Sequence, residues 1–440
     1  MRFLTYLISA FLSDSAAAAT HIDSTRLPPP LYYIVDTIIV AGNERTKDYV
    51  ILDEMTIKPG SAATPEEIEF DRARIYSLGL FTKVDILADS LEGKHFLFVQ
   101  VGERWYLIPQ LVFGFRDGDP KRPYYGGGIL DYNFRGRDQK LSGLLVFGSN
   151  PSLSFNFRDP LIDRDQRLFF SCGISYSRVR NRSDLEKAIN GDFDEEHYNV
   201  NATIGKRFSL FENISVNVGY EIISVDRYTP ARTASPTGRD AFLYGSVGYT
   251  RDTRDLREYP TEGSVVSGSY TKYGFGEGKL SFSRTGYDLR KYIPLPHNLT
   301  LAGRTFGGFA FGTFVPSPNR VYFGYGEKIR GHMSEVIEGD NIAGATIELH
   351  WPLLSTRTIQ FSAIPLPAEF SVWRFGVGLA LFADAGTSWF RKSTFSLNSL
   401  ASGYGAGVHF LLPYSFVMRT EYAWNEYGKG QFILDFRTSI

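Results

Sequence analysis

From Tyr106 to the end of the chain, apolar residues alternate with polar or small ones at a period of two. Leu153, Phe155 and Phe157 are interleaved with Ser152, Ser154, Asn156 and Arg158, and Ile214, Val216, Val218 and Tyr220 with Ser215, Asn217, Gly219 and Glu221. Phe375, Val377, Leu379 and Leu381 repeat the pattern against Gly376, Gly378, Ala380 and Phe382. Two faces of opposite character at this spacing mean strands, because successive strand side chains point to opposite sides. Beyond the N-terminus no uninterrupted apolar run reaches the roughly 18 residues of a spanning helix. The best candidate, Phe361 to Asp384, is broken by Pro365, Pro367, Glu369 and Arg374. A β-sandwich also alternates, but here the polar side carries Asn, Ser, Arg, Glu and Gly, and short connections alternate with long polar ones. Both features belong to an antiparallel transmembrane barrel with a wet lumen. Composition agrees: aromatics make up 15% of residues, yet the mean hydropathy is only −0.17. Residues 108–440 supply about 16 strands at roughly 10 residues each plus loops. The predicted fold is an all-β barrel over 106–440.

What precedes it is different. Arg2, the apolar stretch Phe3 to Leu12 and the small residues Ala16 to Ala19 read as a secretory signal over 1–19. Residues 20–31 end in Pro28-Pro29-Pro30 and read as a linker. Residues 32–105 read as a small α+β unit of order β-α-α-β-β. Its first strand, Ile34 to Val40, closes at Gly42-Asn43, and a short helix spans Thr46 to Met55. A second helix starts at Thr64-Pro65-Glu66-Glu67, with an N-cap Thr, Pro at N1 and a capping-box Glu, and stops at Gly79. Val84 to Leu87 and Phe96 to Val101 are strands around the Glu92-Gly93 turn.

Several short motifs, in order, resemble one family. Ile38-Ile39-Val40-Ala41-Gly42-Asn43, Lys58-Pro59-Gly60 and Leu78-Gly79-Leu80-Phe81-Thr82-Lys83-Val84 resemble a POTRA domain. Asp252-Thr253-Arg254-Asp255 with Tyr259-Pro260-Thr261-Glu262-Gly263 resembles a barrel hairpin of that family. Ile329-Arg330-Gly331-His332 resembles the tip of its sixth extracellular loop. Glu348 with Pro352, Phe382-Ala383-Asp384-Ala385-Gly386 with Trp389, and Gly405-Ala406-Gly407 with Pro413 resemble its later strands. The chain thus resembles the BamA/TamA superfamily of barrel-assembly and two-partner secretion proteins (the bacterial surface antigen family), in a short form with one POTRA-like domain. It departs from that pattern in having a single such domain, in His332 where an aromatic is usual, and in ending on Ile440. The resemblance implies an outer-membrane barrel with its N-terminal domain in the periplasm, acting without cofactor or nucleotide. The implied activity is protein insertion; a dedicated export pore and a passive porin-like channel are the alternatives. The implied partners are unfolded outer-membrane or secreted client proteins, membrane lipid and accessory lipoproteins.

The resemblance also implies that the Ile329-Arg330-Gly331-His332 loop folds into the barrel as a lid, with Arg330 docking on acids of the wall. The alternation independently puts Glu348 opposite Ile347 and Leu349, and Asp384 on the face of Gly376, Gly378, Ala380 and Phe382, so both carboxylates face the lumen. A guanidinium can fork two hydrogen bonds onto a carboxylate where Lys cannot. The last strand, Gln431 to Ile440, is expected to close against the first, about Ile108 to Phe115. Leu111, Phe113 and Phe115 would then meet Phe432, Leu434, Phe436 and Ile440 at a seam that the resemblance implies opens sideways. An open edge templates strand addition.

Other chemistry finds little support. With 47 Lys+Arg against 48 Asp+Glu, the balanced charge gives no footprint for nucleic acid. One cysteine, Cys172, excludes an intrachain disulfide and a Cys-based zinc site. None of the seven histidines has H-x-x-x-H spacing, so no metal site is expected. His350 and His409 fall on the lumen face, as a lipase-type Ser–His pair would require, but no G-x-S-x-G context accompanies them; no catalytic residue is predicted. Gly126-Gly127-Gly128 reads as a turn or loop edge rather than a phosphate loop, because no helix start follows.

Overall fold

The computed structural model describes residues 33–115, 120–149, 151–230, 232–275, 280–312, 314–360 and 368–436. The signal-like segment, the linker and Ile440 lie outside the described residues.

The N-terminal unit runs β1 (Tyr33–Ile34), β2 (Thr37–Ala41), α1 (Asp48–Leu52), β3 (Ala62–Ala63), α2 (Pro65–Tyr76), β4 (Phe81–Leu91) and β5 (Lys94–Glu103). β2 pairs parallel to β5 and β4 antiparallel to it, giving the sheet order β2-β5-β4. β1 and β3 form a two-residue pair that is too short to leave a periodicity in the sequence. β4 and β5 extend several residues beyond the expected strands because the hairpin continues to its turn at Glu92 and Gly93, both at positive φ. The start of α2 is fixed locally. Thr64 Oγ1 accepts from the Glu67 amide at 3.2 Å while Glu67 accepts from the Thr64 amide at 2.9 Å. Both helices bury one side, with Val50, Ile51, Ile75 and Tyr76 joining Val84, Leu97, Val99 and Val101 in one core.

A buried acid ties α2 to the loop before it. Asp71 accepts from the amides of Thr56 at 2.7 Å and Ile57 at 2.9 Å, and from the Thr56 hydroxyl at 2.7 Å. Its side chain is enclosed within the domain.

The barrel is one antiparallel sheet of sixteen strands. The first six are β6 (Leu107–Phe115), β7 (Pro123–Phe134), β8 (Gln139–Gly148), β9 (Ser152–Asp163), β10 (Leu168–Arg180) and β11 (Asp194–Arg207). Then follow β12 (Glu212–Val225), β13 (Arg239–Asp252), β14 (Gly263–Tyr273), β15 (Phe282–Leu295) and β16 (Leu299–Gly312). A long loop carries the small hairpin β17 (Val321–Phe323) and β18 (Ile337–Gly339). The wall resumes with β19 (Asn341–Gln360), β20 (Val372–Trp389), β21 (Ala401–Leu412), β22 (Phe416–Asn425) and β23 (Gly430–Phe436). Every strand pairs with its neighbour in sequence apart from the β16–β19 step, which spans the lid. The alternation resolves as predicted: Ile174, Val200, Val218 and Leu381 are exposed on the outer face, while Glu348, His350, Asp384 and Glu421 are buried inside.

Two expectations need correction. Gly126, Gly127 and Gly128 do not form a turn; they lie inside β7, paired with Gln110 to Val112 on one side and Leu144 to Val146 on the other. A Cβ at Gly126 would come within 2.2 Å of the Leu145 carbonyl oxygen, so the glycines serve a close backbone approach within the sheet. The expected closure of the first strand on the last is likewise not found among the described residues. β6 and β23 are the two ends of the sheet order, and among the described residues no ladder joins them.

The N-terminal domain sits against the near end of the barrel. Glu54 binds Arg74 of α2 and Arg207 of β11, each at 2.7 Å, and Arg74 also lies over the ring of Phe211. Burial would push the Glu54 carboxyl up, but Arg207 and Arg74 hold it below the usual carboxylate range. Gly136, at φ 70°, fits against Arg45, whose carbonyl oxygen would lie 1.9 Å from a Cβ there. Arg104 stacks between Tyr132 and Tyr414, tying the entry of β6 to the β21–β22 turn.

The enclosed Asp71 gives a test of the domain itself. Asp71→Ala leaves two buried amides without an acceptor, at about 1–3 kcal/mol each. A loss of about 3 kcal/mol is comparable to the whole stability of so small a domain. The fragment 32–105 is expected to melt cooperatively by circular dichroism, Asp71→Ala to lower the midpoint by about 10 °C or more, and Glu69→Ala, which removes only a surface pair with Arg72, to change it little.

Candidate functional site

The connection between β16 and β19 turns back into the lumen. Its apolar anchor is Ile329, 2% exposed, in a cluster with Phe306, Phe323, Ile342 and Ala401. Arg330 follows, pointing at the wall. Its Nε donates to Asp384 Oδ2 at 2.7 Å and its Nη2 to Asp384 Oδ1 at 2.6 Å, a bidentate fork. The Arg330 amide adds a third bond to Asp384 at 3.1 Å. Nη1 donates to Glu348 Oε1 at 2.5 Å and to Glu421 Oε1 at 3.2 Å. The guanidinium lies 3.6 Å from the centroid of the Phe382 ring, which closes its remaining face. The structure therefore brings together Arg330, Glu348 and Asp384, and adds Glu421 of β22.

Gly331 and Gly403 explain how a loop can come this close. Gly331 has φ 96°, and a Cβ there would sit 3.1–3.2 Å from the Trp424–Asn425 backbone. A Cβ at Gly403 of β21 would meet the Arg330 carbonyl oxygen at 1.7 Å, so this wall position admits no side chain while the lid is seated. His332 then reaches past the wall: Nδ1 is 2.8 Å from Glu335 Oε2 and Nε2 is 2.7 Å from Glu426 Oε2. Burial disfavours a charged ring here, but the hydrogen bonds to Glu335 and Glu426 outweigh it and raise the His332 pKa. The Met333 amide donates to Gln431 Oε1 of β23 at 3.1 Å, so the lid touches the last strand.

A second ion pair holds the lid from the strand next to β19. Arg304 of β16 forks onto the lid residue Glu327, both bonds at 3.0 Å, and also contacts Asp288 at 2.8 Å. Behind the hub, His350 Nε2 lies 2.6 Å from Glu348 Oε2, and His409 Nε2 lies 3.1 Å from Glu421 Oε1. Arg419 approaches Glu348 and Glu421 at 3.8 and 4.0 Å. A cavity of about 450 Å³ lies beside the lid, lined in part by Arg330, Met333, Arg419, Glu421, Ile433 and Asp435.

Sequence reasoning did not find Glu421, the Arg304–Glu327 pair or the roles of the two histidines. Glu421 carried a signal, because it alternates against Tyr422 on the lumen face; nothing in one sequence says that β22 comes within reach of the lid. The seam residues are placed as follows. Leu111, Phe113 and Phe115 of β6 and Phe432, Leu434 and Phe436 of β23 are exposed on the outer face of their strands. Ile440 lies outside the described residues. Among the described residues no group of three or more His, Cys, Asp or Glu side chains is placed to hold a metal ion.

The Omp85 superfamily domain model matches residues 133–440, and the POTRA model, a surface antigen variable number repeat, matches residues 33–101. The chain belongs to the Omp85 superfamily. It is 26% identical over 341 residues to the outer membrane protein assembly factor BamA of Nitratidesulfovibrio vulgaris, covering 72% of this chain and 41% of that protein. It is 24% identical over 429 residues to BamA of Neisseria meningitidis serogroup B, covering 85% of this chain and 49% of that one. The chain thus spans about half the length of the curated relatives it matches. The fold resembles that of Haemophilus ducreyi BamA lacking POTRA domains 1–3, with TM-score 0.55 and 16% identity over 92% of this chain and 83% of that one. It also resembles CdiB of Escherichia coli, with TM-score 0.53 and 10% identity over 95% and 91%. The chain is therefore an outer-membrane β-barrel of this superfamily with one POTRA domain.

The docked arginine makes a quantitative expectation. Removing one partner of a buried pair costs about 3–5 kcal/mol, and a wet lumen lowers that to about 2 kcal/mol, roughly thirty-fold in the lid-opening equilibrium. Arg330→Ala is expected to raise protease cleavage of the Tyr322–Met333 loop by about that factor, Arg330→Lys by the same or less, and Asp384→Asn to resemble them. Combining Arg330→Ala with Asp384→Asn should add little, because both break one interaction. Unchanged cleavage in Arg330→Ala would remove the lid from the account.

His332 adds a dependence on pH. Its seated pKa lies above the free value of about 6.5, so its contribution is complete below that value and is lost as the pH rises through the raised one. Cleavage of the loop should therefore increase on the alkaline side. His332→Phe should flatten that profile; an identical profile in the variant would exclude His332 as its source.

Proposed function

We propose that this chain is an outer-membrane protein insertase and assembly factor that opens sideways at the β6–β23 boundary and templates client strands there. Its N-terminal domain faces the periplasm, and its partners are unfolded outer-membrane clients, membrane lipid and accessory lipoproteins. The observation that carries this reading is the sheet order, with sixteen strands and a boundary between the first and last that bears no ladder among the described residues. In lipid each backbone donor and acceptor must find a partner in protein. A client strand pairing with either edge gains those bonds, so the driving force comes from client folding and needs no nucleotide. The seated lid supports this over a passive channel, because it occupies the lumen and contacts β19, β20, β22 and β23. It also supports insertion over dedicated export through the lumen, which would require that lid to leave first.

The mechanism predicts the effect of locking the boundary. With Cys172 removed, cysteines near Phe113 and Phe436, once matched in register, should crosslink. The locked barrel should stay folded, as judged by heat-modifiable gel migration, and lose insertion of client barrels. Full activity of a verified locked barrel would refute lateral opening. Depletion followed by outer-membrane proteomics separates the readings: broad loss of barrels is expected here, loss of a single secreted protein would indicate dedicated export, and an unchanged protein profile a channel.

A further inference from the structure

The turn between β13 and β14, residues 253–262, differs from its neighbours. The turns after β7, β9, β11, β15 and β21 have three or four residues each, whereas this one has ten. It reaches in two directions. Leu256 inserts into the hydrophobic core of the N-terminal domain beside Tyr76 and Leu80, and is 8% exposed. The Arg257 amide donates to the Ser77 hydroxyl at 3.1 Å, at the C-terminal end of α2. Glu258 accepts from Arg374 of β20 at 3.1 Å, and Arg374 lies over the ring of Tyr76 at 4.3 Å.

Three residues after Leu256, the same turn enters the lumen. The Tyr259 ring stacks on His350, with centroids 4.9 Å apart and planes 21° apart. The Tyr259 hydroxyl lies 3.2 Å from His409 Nδ1. These histidines hold Glu348 and Glu421 through their Nε2 atoms, and both acids bind Arg330. An unbroken series of contacts thus runs from α2 through this turn and one histidine pair to the lid.

The turn is built to transmit displacement. Leu256-Arg257-Glu258-Tyr259 contains no glycine and is followed by Pro260, whose φ is fixed. Three residues span at most about 10 Å, so a shift at Leu256 has little slack before it reaches Tyr259. The base of the turn is pinned on both sides. Arg254 forks onto Asp252 at 2.9 and 2.8 Å, and Asp255 accepts from the amide and hydroxyl of Thr261 at 3.0 and 2.6 Å.

We propose that the β13–β14 turn couples seating of the N-terminal domain to docking of the lid, with Tyr259 as the positioning residue that orients His350 and His409 against the acids gripping Arg330. Tyr259 touches neither Arg330 nor a client; it acts through the histidines. Unseating the domain withdraws the turn, loosens the histidines and weakens the lid. Coupling of this kind is reciprocal, so releasing the lid also loosens the end of α2. This goes beyond insertase activity and holds whether the barrel inserts or exports.

The test uses the full chain reconstituted in liposomes, with heat-modifiable migration to verify folding. Hydrogen exchange at residues 75–80 reads the seat of the domain, and protease cleavage of the Tyr322–Met333 loop reads the lid. Arg330→Ala is expected to speed exchange at residues 75–80 at least threefold in a chain with Tyr259. In a Tyr259→Ala chain the same change should leave that exchange rate within twofold. Conversely, Leu256→Ser should raise lid cleavage several-fold, and Leu256→Ser with Tyr259→Ala no more than the larger single effect. Tyr259→Phe keeps the stacking and should retain most of the coupling; it also serves as the test variant if Tyr259→Ala does not fold, then reading the share carried by the hydroxyl. Equal exchange responses with and without Tyr259, or none when the lid is shown to be released, would overturn the proposal. Because neither readout depends on a client, failure of client insertion in the unaltered chain would strike the insertase reading alone.

Discussion

A backbone in lipid has no water to bond with, and the architecture of this chain follows from that constraint. Fifteen consecutive strand pairings satisfy it across the wall, and the outward face meets lipid with Ile, Val, Leu, Phe and Tyr. What lipid forbids outside, the lumen permits, so charge accumulates on the inner parity of the same strands. One alternation thus produces both the membrane surface and the polar interior in which an arginine-bearing loop can be held. Among the described residues the β6–β23 boundary bears no ladder, and there chain order alone provides no neighbour on the far side. The glycine run of β7 lies one strand in from that boundary, paired with β6.

The lid hub is not a device for raw stability. Taking an arginine and three carboxylates out of water costs more than a simple pair recovers unless every remaining lone pair is also satisfied. Here Asp384 receives three bonds from Arg330, and Glu348 and Glu421 each gain a histidine. Such an arrangement selects one seating of the loop over its neighbours, because the next lumen-facing positions along β19 and β20 are Thr346, His350, Phe382 and Gly386, none of them an acid. Geometry sharpens the choice: Gly403 and Gly331 leave room for only one path of the lid backbone. The second fork, Arg304 onto Glu327, runs the other way, with the cation on the wall and the anion on the lid. Two forks of opposite sense resist rotation of the loop as well as its withdrawal.

The fold was legible because it is dictated by periodicity. Alternation identified the sheet, the face of Glu348 and Asp384, and the antiparallel order, while Thr64, Pro65 and Glu67 marked the start of α2 through contacts only three residues apart. What stayed hidden depends on which strands curl towards one another. Glu421 is 91 residues from Arg330, and its parity could be read but its proximity could not. The glycines of β7 misled because a glycine run usually signals a turn, whereas here it serves close backbone approach in a strand. That no β6–β23 ladder is found among the described residues escaped for a different reason: periodicity fixes which face a residue takes and says nothing about whether two chain ends pair. Tyr259 lay inside a recognised motif, yet its two-sided placement depends on how the N-terminal domain is seated.

These features are also arranged asymmetrically around the barrel. The wall groups that hydrogen-bond Arg330 and Met333 come from β19, β20, β22 and β23, within the last five strands of the sheet. The N-terminal domain is fastened at several points of the wall, by Glu54 to Arg207 of β11, by Arg104 to Tyr132 and Tyr414, and by Tyr76 under Arg374 of β20. Held from β16 by Arg304 and from β19, β20, β22 and β23 by the groups around Arg330 and Met333, the lid couples the relative positions of these strands, since its arginine cannot hold β20 and β22 at once unless the strand between them keeps its register. The position of the charges, more than their number, makes the lid a crosspiece within the last five strands of the wall.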